Sequence, residues 1–323
     1  MKTLIKKRKK LCCENGNLNL ETIGYEKYPH IISNLKGIRK KRFNFWTVKN
    51  DIFLFSIAIV DVDYTGKGIL FFYDRVRKEY FEEVIEVPFA KNFKLSEFVY
   101  GNSSMKKGEY QISNEYIRNN AILKADTKKF KVDIEVKYPE NVESLNLIVP
   151  WNNKKFHFTS KQNCLPAMGR INIEGRIYSF HIKNTLASFD YGRGIWPYKT
   201  FWNWASFSGF KDGEKFGINL GYGWTKGSGV NENCVFYDNK MYKLNDEVEF
   251  IYDKLDKEVI IKSSEVDIVF KTEYIREEKT NVVVLKSNLK QAIGSFSGII
   301  KFKNKEIEFK DIFGIIEEHK ARW

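Results

Sequence analysis

Short runs in which apolar and polar side chains alternate follow one another along nearly the whole chain. The clearest is KKFKVDIEVKY (128–138), where Phe130, Val132, Ile134 and Val136 alternate with polar, mostly charged residues. A period of two is that of a strand with one wet face. Comparable runs are DIFLFSIAIVDV (51–62), GILFFYD (68–74), YFEEVIEVPF (80–89), GRIYSFHIKNTLASFD (175–190), EKFGINLGYGW (214–224), VDIVFKTEY (266–274) and GSFSGIIKFKNKEIEFKDIFGII (294–316). Turn chemistry such as YTGKG, KDGEK and YDNK separates them. No window longer than about two turns carries a 3.6-residue apolar stripe. The pattern predicts an all-β protein with little helix, its antiparallel strands closed into barrels or stacked as sandwiches.

Tyr138 to Gly169 mixes turn residues with Pro139, Pro150 and Pro166, which predicts a boundary near residue 160. The expected organisation is a basic arm (1–12), one β-domain (13–160) and a second (161–323). A faint echo between FSIAIVDVDYTG (55–66) and IKNTLASFDYGRG (182–194) fits a duplicated β-unit.

The second half holds the candidate chemistry. DYGRGIWPYKTFWNWASFSG (190–209) contains three of the seven tryptophans, and Trp224 follows shortly after. DYGRG reads as a tight turn in which Asp190 and Arg193 pair. If the acid instead sits unpaired beside apolar rings, it is a candidate proton donor. The remainder reads as a strand. One face carries Trp196, Tyr198, Thr200, Trp202, Trp204 and Ser206; the other carries Lys199, Phe201, Asn203 and Ala205. The first face fills a barrel, lines a ligand cavity or forms an exposed platform for sugars. In GINLGYGWTKGSGVNEN (217–233) the glycines match no phosphate-binding loop and make room for neighbouring rings. Glu232 either anchors a turn or supplies a second carboxylate, and Asn233, Asn203 and Arg193 are candidates for orienting a ligand.

The net charge of +13 looks like a nucleic-acid signal until it is located: residues 1–50 hold thirteen Lys and Arg against three acids. The excess lies in KKRKK (6–10) and RKKR (39–42), so the expectation is a solvated arm making at most a weak contact with anionic surfaces. The second cluster runs into FNFW, which lays its stems along a folded surface. The near-neutral body argues against specific nucleic-acid binding. The longest apolar run, IFLFSIAIV (52–60), falls well short of the ~18 residues of a membrane span. No signal-peptide pattern is present. Four cysteines, two of them adjacent, make no disulfide framework and point to the cytoplasm. The four scattered histidines form no metal motif, and neither metal nor cofactor is expected.

LCCENGNLNLETIGYEKYP (11–29), KKRFNFWTV (40–48), the tryptophan-rich stretch and GYGWTKGSGVNEN (221–233) together resemble the bacterial domain-of-unknown-function 2804 family. The family has no established activity. More distantly, it is similar to lipocalin-like two-barrel proteins that include carotenoid hydratases and tocopherol cyclases. That resemblance implies paired barrels and, in some relatives, acid-catalysed chemistry on apolar substrates. The reading that follows is a protein holding a small apolar or amphipathic molecule against Trp196, Tyr198, Trp202, Trp204 and Trp224. The alternatives are a hydratase, cyclase or isomerase using Asp190 or Glu232, and a structural or glycan-contacting module.

Overall fold

The computed structural model describes residues 8–282 and 285–323. About 66% of the chain is strand, and the single helical element among the described residues is a 3₁₀ turn, Leu20–Thr22. The all-β expectation holds. Among the described residues the strands form a 14-stranded and a 9-stranded antiparallel sheet, with a further parallel pair.

Along the first sheet, Glu79–Pro88, Thr65–Asp74, Phe53–Asp61, Lys40–Lys49, Leu186–Ile195, Phe156–Ile173 and Phe130–Lys137 are successive neighbours. In the second, Glu214–Tyr222, Lys199–Lys211, Lys305–Arg322, Leu285–Phe302 and Val266–Val282 follow one another. Each sheet curls around its own core. Trp46, Val48, Phe55, Ile57, Leu70 and Phe72 fill the first, and Ala205, Phe207, Ile218, Phe270, Phe296 and Ile316 fill the second. Because side chains alternate, these residues leave their sequence neighbours on the outer faces. There the sheets meet: Leu54, Phe71 and Tyr73 of one pack with Trp204, Ile293, Phe313 and Ile315 of the other.

The boundary expected near residue 160 falls inside a continuous strand, Phe156–Ile173. Its first part pairs with Leu145–Pro150 and Leu186–Ile195, and its last part with Phe130–Lys137 and Arg176–Phe180. A bulge between Gln162 and Leu165, with Cys164 at φ 59°, turns the strand from one set of partners to the other. Pro139 and Pro150 do mark strand ends, but Pro166 lies within the strand just past the bulge. The change of sheet comes later, between Ile195 and Lys199. The two echo segments lie on strands that flank Lys40–Lys49 in one sheet, so they do not mark one unit per sheet.

Residues 1–7 of the basic arm lie outside the described residues. Beyond them the chain is not a tail: Lys9–Lys10 pair in parallel with Ile31–Ile32, and Leu11 and Cys12 are buried. Among the described residues no helix is long and apolar enough to cross a membrane.

Candidate functional site

A cavity of about 230 Å³ lies where the outer faces of the two sheets confront each other. Its walls are written in steps of two. The first sheet contributes Lys41, Phe43 and Phe45, then Ser56, Ala58 and Val60, then Lys67, Ile69 and Phe71. The second contributes Trp202 and Trp204, Arg276 and Glu278, Ser287, Leu289 and Gln291, and Glu317 and His319. The space is therefore between the curled sheets. The interiors of both are occupied by their own Phe, Ile and Val side chains.

Trp202 and Trp204 share the face read from the sequence and both border the cavity. Trp196 borders it too, although the strand begins only at Lys199. Trp196, Trp202 and Trp224 meet edge to face, with ring centroids 6.0, 4.8 and 5.2 Å apart. Trp323 closes on Trp196 at 5.2 Å, and His319 on Trp202 at 4.2 Å. The indole N–H groups donate to His157 Nδ1 (Trp196, 3.1 Å), Glu317 Oε2 (Trp202, 3.4 Å) and Asn219 Oδ1 (Trp204, 2.8 Å). This is how aromatic rings with polar tips are accommodated around a space.

Other expected residues sit elsewhere. Tyr198 is 56% exposed, with the Arg39 guanidinium 5.6 Å from its ring centroid. Asn203 lies on the opposite strand face and donates to the Tyr252 hydroxyl at 2.8 Å. Asn233 accepts from the Gly221 N–H and donates to the Asp246 carbonyl, fixing the local chain path.

DYGRG is not a turn. It lies in the strand Leu186–Ile195, paired with Lys40–Lys49 on one side and Phe156–Ile173 on the other. A Cβ on Gly192 would stand 2.1 Å from the Phe43 ring, and one on Gly194 2.4 Å from the Phe156 carbonyl oxygen. The glycines thus admit close neighbours within a sheet. Three residues apart on a strand, Asp190 and Arg193 point to opposite faces and do not pair. Arg193 donates to the carbonyls of Phe43, Ser96 and Gly192 and to Asn44 Oδ1. Burial lowers it to about 10.

Asp190 turns instead to Lys161, whose Nζ lies 2.6 Å from Asp190 Oδ2 and 3.2 Å from Glu232 Oε2. Thr159 donates a further hydrogen bond to Asp190 at 3.1 Å. Glu232 reaches this position because Gly221 has no Cβ; one there would lie 2.3 Å from the carboxylate. Burial opposes the charge on Lys161, but the two carboxylates outweigh it and its affinity for the proton is raised. Both acids singled out in the sequence are thus engaged by one buried ammonium.

The carboxyl group in the more isolated setting is Glu317. It keeps some surface towards the cavity, yet burial pushes its pKa up, against hydrogen bonds from Gln291 (2.7 Å) and Trp202. Two residues on, His319 shares a 2.7 Å hydrogen bond with Ser287 through Nε2, while its buried Nδ1 has no partner among the described residues. Burial lowers His319 to about 4 and depresses His157 well below the usual imidazole range, with Lys161 and Arg193 adding to the effect. Both rings are therefore neutral at physiological pH. In sequence, Glu317 and His319 lie just past the run 294–316, and the signal that could have found them is their spacing of two, which puts both on one face of a continued strand.

No curated protein matches the sequence. Solved structures do match in fold. Kievitone hydratase from Nectria haematococca aligns with a TM-score of 0.55 at 10% identity, over 85% of this chain and 88% of its own. CghA bound to Sch210972 aligns with a TM-score of 0.58 at 6% identity, over 88% of both chains. An AttH-like protein from Nitrosomonas europaea aligns at 0.53 and 10% identity, over 87% of this chain and 92% of its own. All are lipocalin-like two-barrel folds, which agrees with two curled sheets packed through their outer faces. The family described as Domain of unknown function (DUF2804) matches residues 2–323, and the chain belongs to that family.

Proposed function

We propose that the protein binds a small apolar or amphipathic molecule in the cavity between its two sheets. The observation that carries this is the wall: Trp196, Trp202, Trp204, Trp224 and Trp323 border one space of about 230 Å³. Sites of this kind combine aromatic walls with a few placed polar groups, and here Glu317, Gln291 and Lys161 supply the polar positions. The four free cysteines support a reducing, cytoplasmic setting for the binding.

The test uses 1-aminoanthracene, a neutral aromatic probe. Binding is expected to quench the clustered tryptophans and to raise the melting temperature, because a ligand of the native state stabilises it. Trp202→Ala removes a central ring and is expected to weaken the probe about tenfold. Failure of a panel of apolar probes to give either quenching or stabilisation would overturn the binding reading.

A second reading rests on Glu317. A carboxyl group whose pKa burial raises, hydrogen-bonded to the Trp202 indole N–H at the edge of the tryptophan cluster, suits protonation of a carbon–carbon double bond, with the rings stabilising the cation that forms. Water would then add to the cation and release a proton. One structural relative carries the name hydratase. Asp190 and Glu232, held on Lys161, are less suited to giving up a proton in this way. The expected result is incorporation of ¹⁸O from labelled water into an apolar alkene. Glu317→Gln should reduce that incorporation at least about a hundredfold while 1-aminoanthracene still binds. Equal incorporation by Glu317→Gln and the unaltered protein removes Glu317 from the chemistry.

A further inference from the structure

Five cationic side chains line the cavity: Lys41, Arg42, Lys67, Lys161 and Arg276. Four of them have carboxylate partners. Arg42 pairs with Asp61, Lys67 with Glu86 and Glu278, Lys161 with Asp190 and Glu232, and Arg276 with Glu82 and Glu278. Lys41 makes no ion pair among the described residues, although it is 1% exposed. Its Nζ donates one long hydrogen bond, 3.3 Å, to the Tyr64 hydroxyl. It lies 4.7 Å from the Tyr64 ring centroid and 4.9 Å from that of Trp323, itself a wall residue. Ring faces attract an ammonium but leave its other N–H groups uncommitted.

A buried ammonium without a counter-ion is costly in a protein that pairs its other cavity cations. Burial and the repulsion of Arg39 and Lys155 outweigh the attraction of Asp63 and Asp61, which pair with Arg42 and Lys40 and not with Lys41, and lower Lys41 to about 8, so most of the population still carries the charge at pH 7. From this uncompensated charge at the edge of an aromatic wall, we infer that Lys41 receives the carboxylate of the ligand. The ligand is therefore an organic monoacid, its apolar body against the tryptophans and its carboxylate on Nζ. One spare positive charge matches one negative charge. A dianion such as a phosphate monoester would face Asp190, Glu232 and Glu278 across the same cavity with no second cation free to meet it. The inference rests on the binding reading above and names its ligand class.

The experiment compares 1-naphthylacetate with 2-(1-naphthyl)ethanol, similar in size but uncharged, by titration calorimetry at pH 7. The unaltered protein is expected to prefer the acid by about tenfold or more, the usual worth of a charge-assisted hydrogen bond in a desolvated site. Lys41→Met is expected to reduce the acid-to-alcohol ratio to near one, and Lys41→Arg to preserve a preference for the acid. Thermal unfolding of each variant confirms that it is folded. An alcohol that binds as tightly as the acid, or a ratio unmoved by Lys41→Met, overturns the inference and leaves the binding reading intact. If neither compound binds and 1-aminoanthracene does not bind either, both fall together. If 1-aminoanthracene alone binds, only the monoacid assignment is lost.

Discussion

Lys161→Met is expected to destabilise the protein by about 3–5 kcal/mol. The side chain is buried and holds Asp190 and Glu232 at 2.6 and 3.2 Å. Both carboxylates are themselves largely buried, with side-chain exposures of 14% and 5%. Removing the ammonium leaves two like charges facing each other in a poorly solvated space, and Thr159 can offer Asp190 only one hydrogen bond. Methionine keeps the length of the stem and removes only the ammonium, which stands 5.3 Å from the Trp204 ring centroid, so the loss reads the charge and not the volume. Urea denaturation of the variant measures the cost. The combined change Lys161→Met, Asp190→Asn and Glu232→Gln is expected to recover most of it, because the pairing is then no longer needed. A loss below about 1 kcal/mol in the single variant would mean that the carboxylates are better solvated than their burial implies.

Acidification is the second large effect. His319, at about 4 when folded against 6.5 unfolded, takes up its proton in the unfolded chain first. Between those two values the unfolded state binds more protons, so stability falls as pH drops from 6.5 towards 4. The full shift corresponds to about 3 kcal/mol. His157 acts in the same direction. Glu317, raised by burial, acts in the opposite one, since its native carboxyl takes up a proton before the unfolded one does. Melting temperatures measured from pH 7.5 to 4.5 are expected to fall steeply, and His319→Gln is expected to flatten the profile. Glu317→Gln, which removes the opposing contribution, is expected to steepen it. A profile that His319→Gln leaves unchanged would show that the imidazole reaches solvent before the protein unfolds.

These effects arise at one place, the seam between the sheets, and they share a cause. Two barrel-like units with filled interiors can form a sheltered site only where their outer faces meet. Outer faces are ordinarily polar, so closing two of them together buries Lys, Arg, Asp, Glu and His side chains along with the tryptophans. The charges are then matched in pairs, as at Lys67–Glu278 and Arg276–Glu82. Among the described cations that line the cavity, Lys41 is the one without a carboxylate partner, whereas Lys49, buried in the seam outside it, donates to the carbonyls of Ser208 and Phe313 across the sheets.

Alternation along single strands was enough to read the all-β class, and to place Trp202 and Trp204 on one face with Asn203 on the other, because strand side chains point to opposite sides whatever the partner. It also separated the basic N-terminal charge from a near-neutral body. It misjudged DYGRG, because glycine permits both a tight turn and a close approach inside a sheet; the second is decided by Phe43, which lies far away in sequence. Nor does a strand state which sheet its outer face will meet. Lys161 finds Asp190 and Glu232, Glu317 finds Gln291 and Trp202, and Lys41 finds Tyr64 and Trp323 only through pairings between distant segments. The residue types and their faces were local properties of the chain. Which of those faces closed on one another, and which charges lost their water and needed a partner, was decided by the packing of the two sheets.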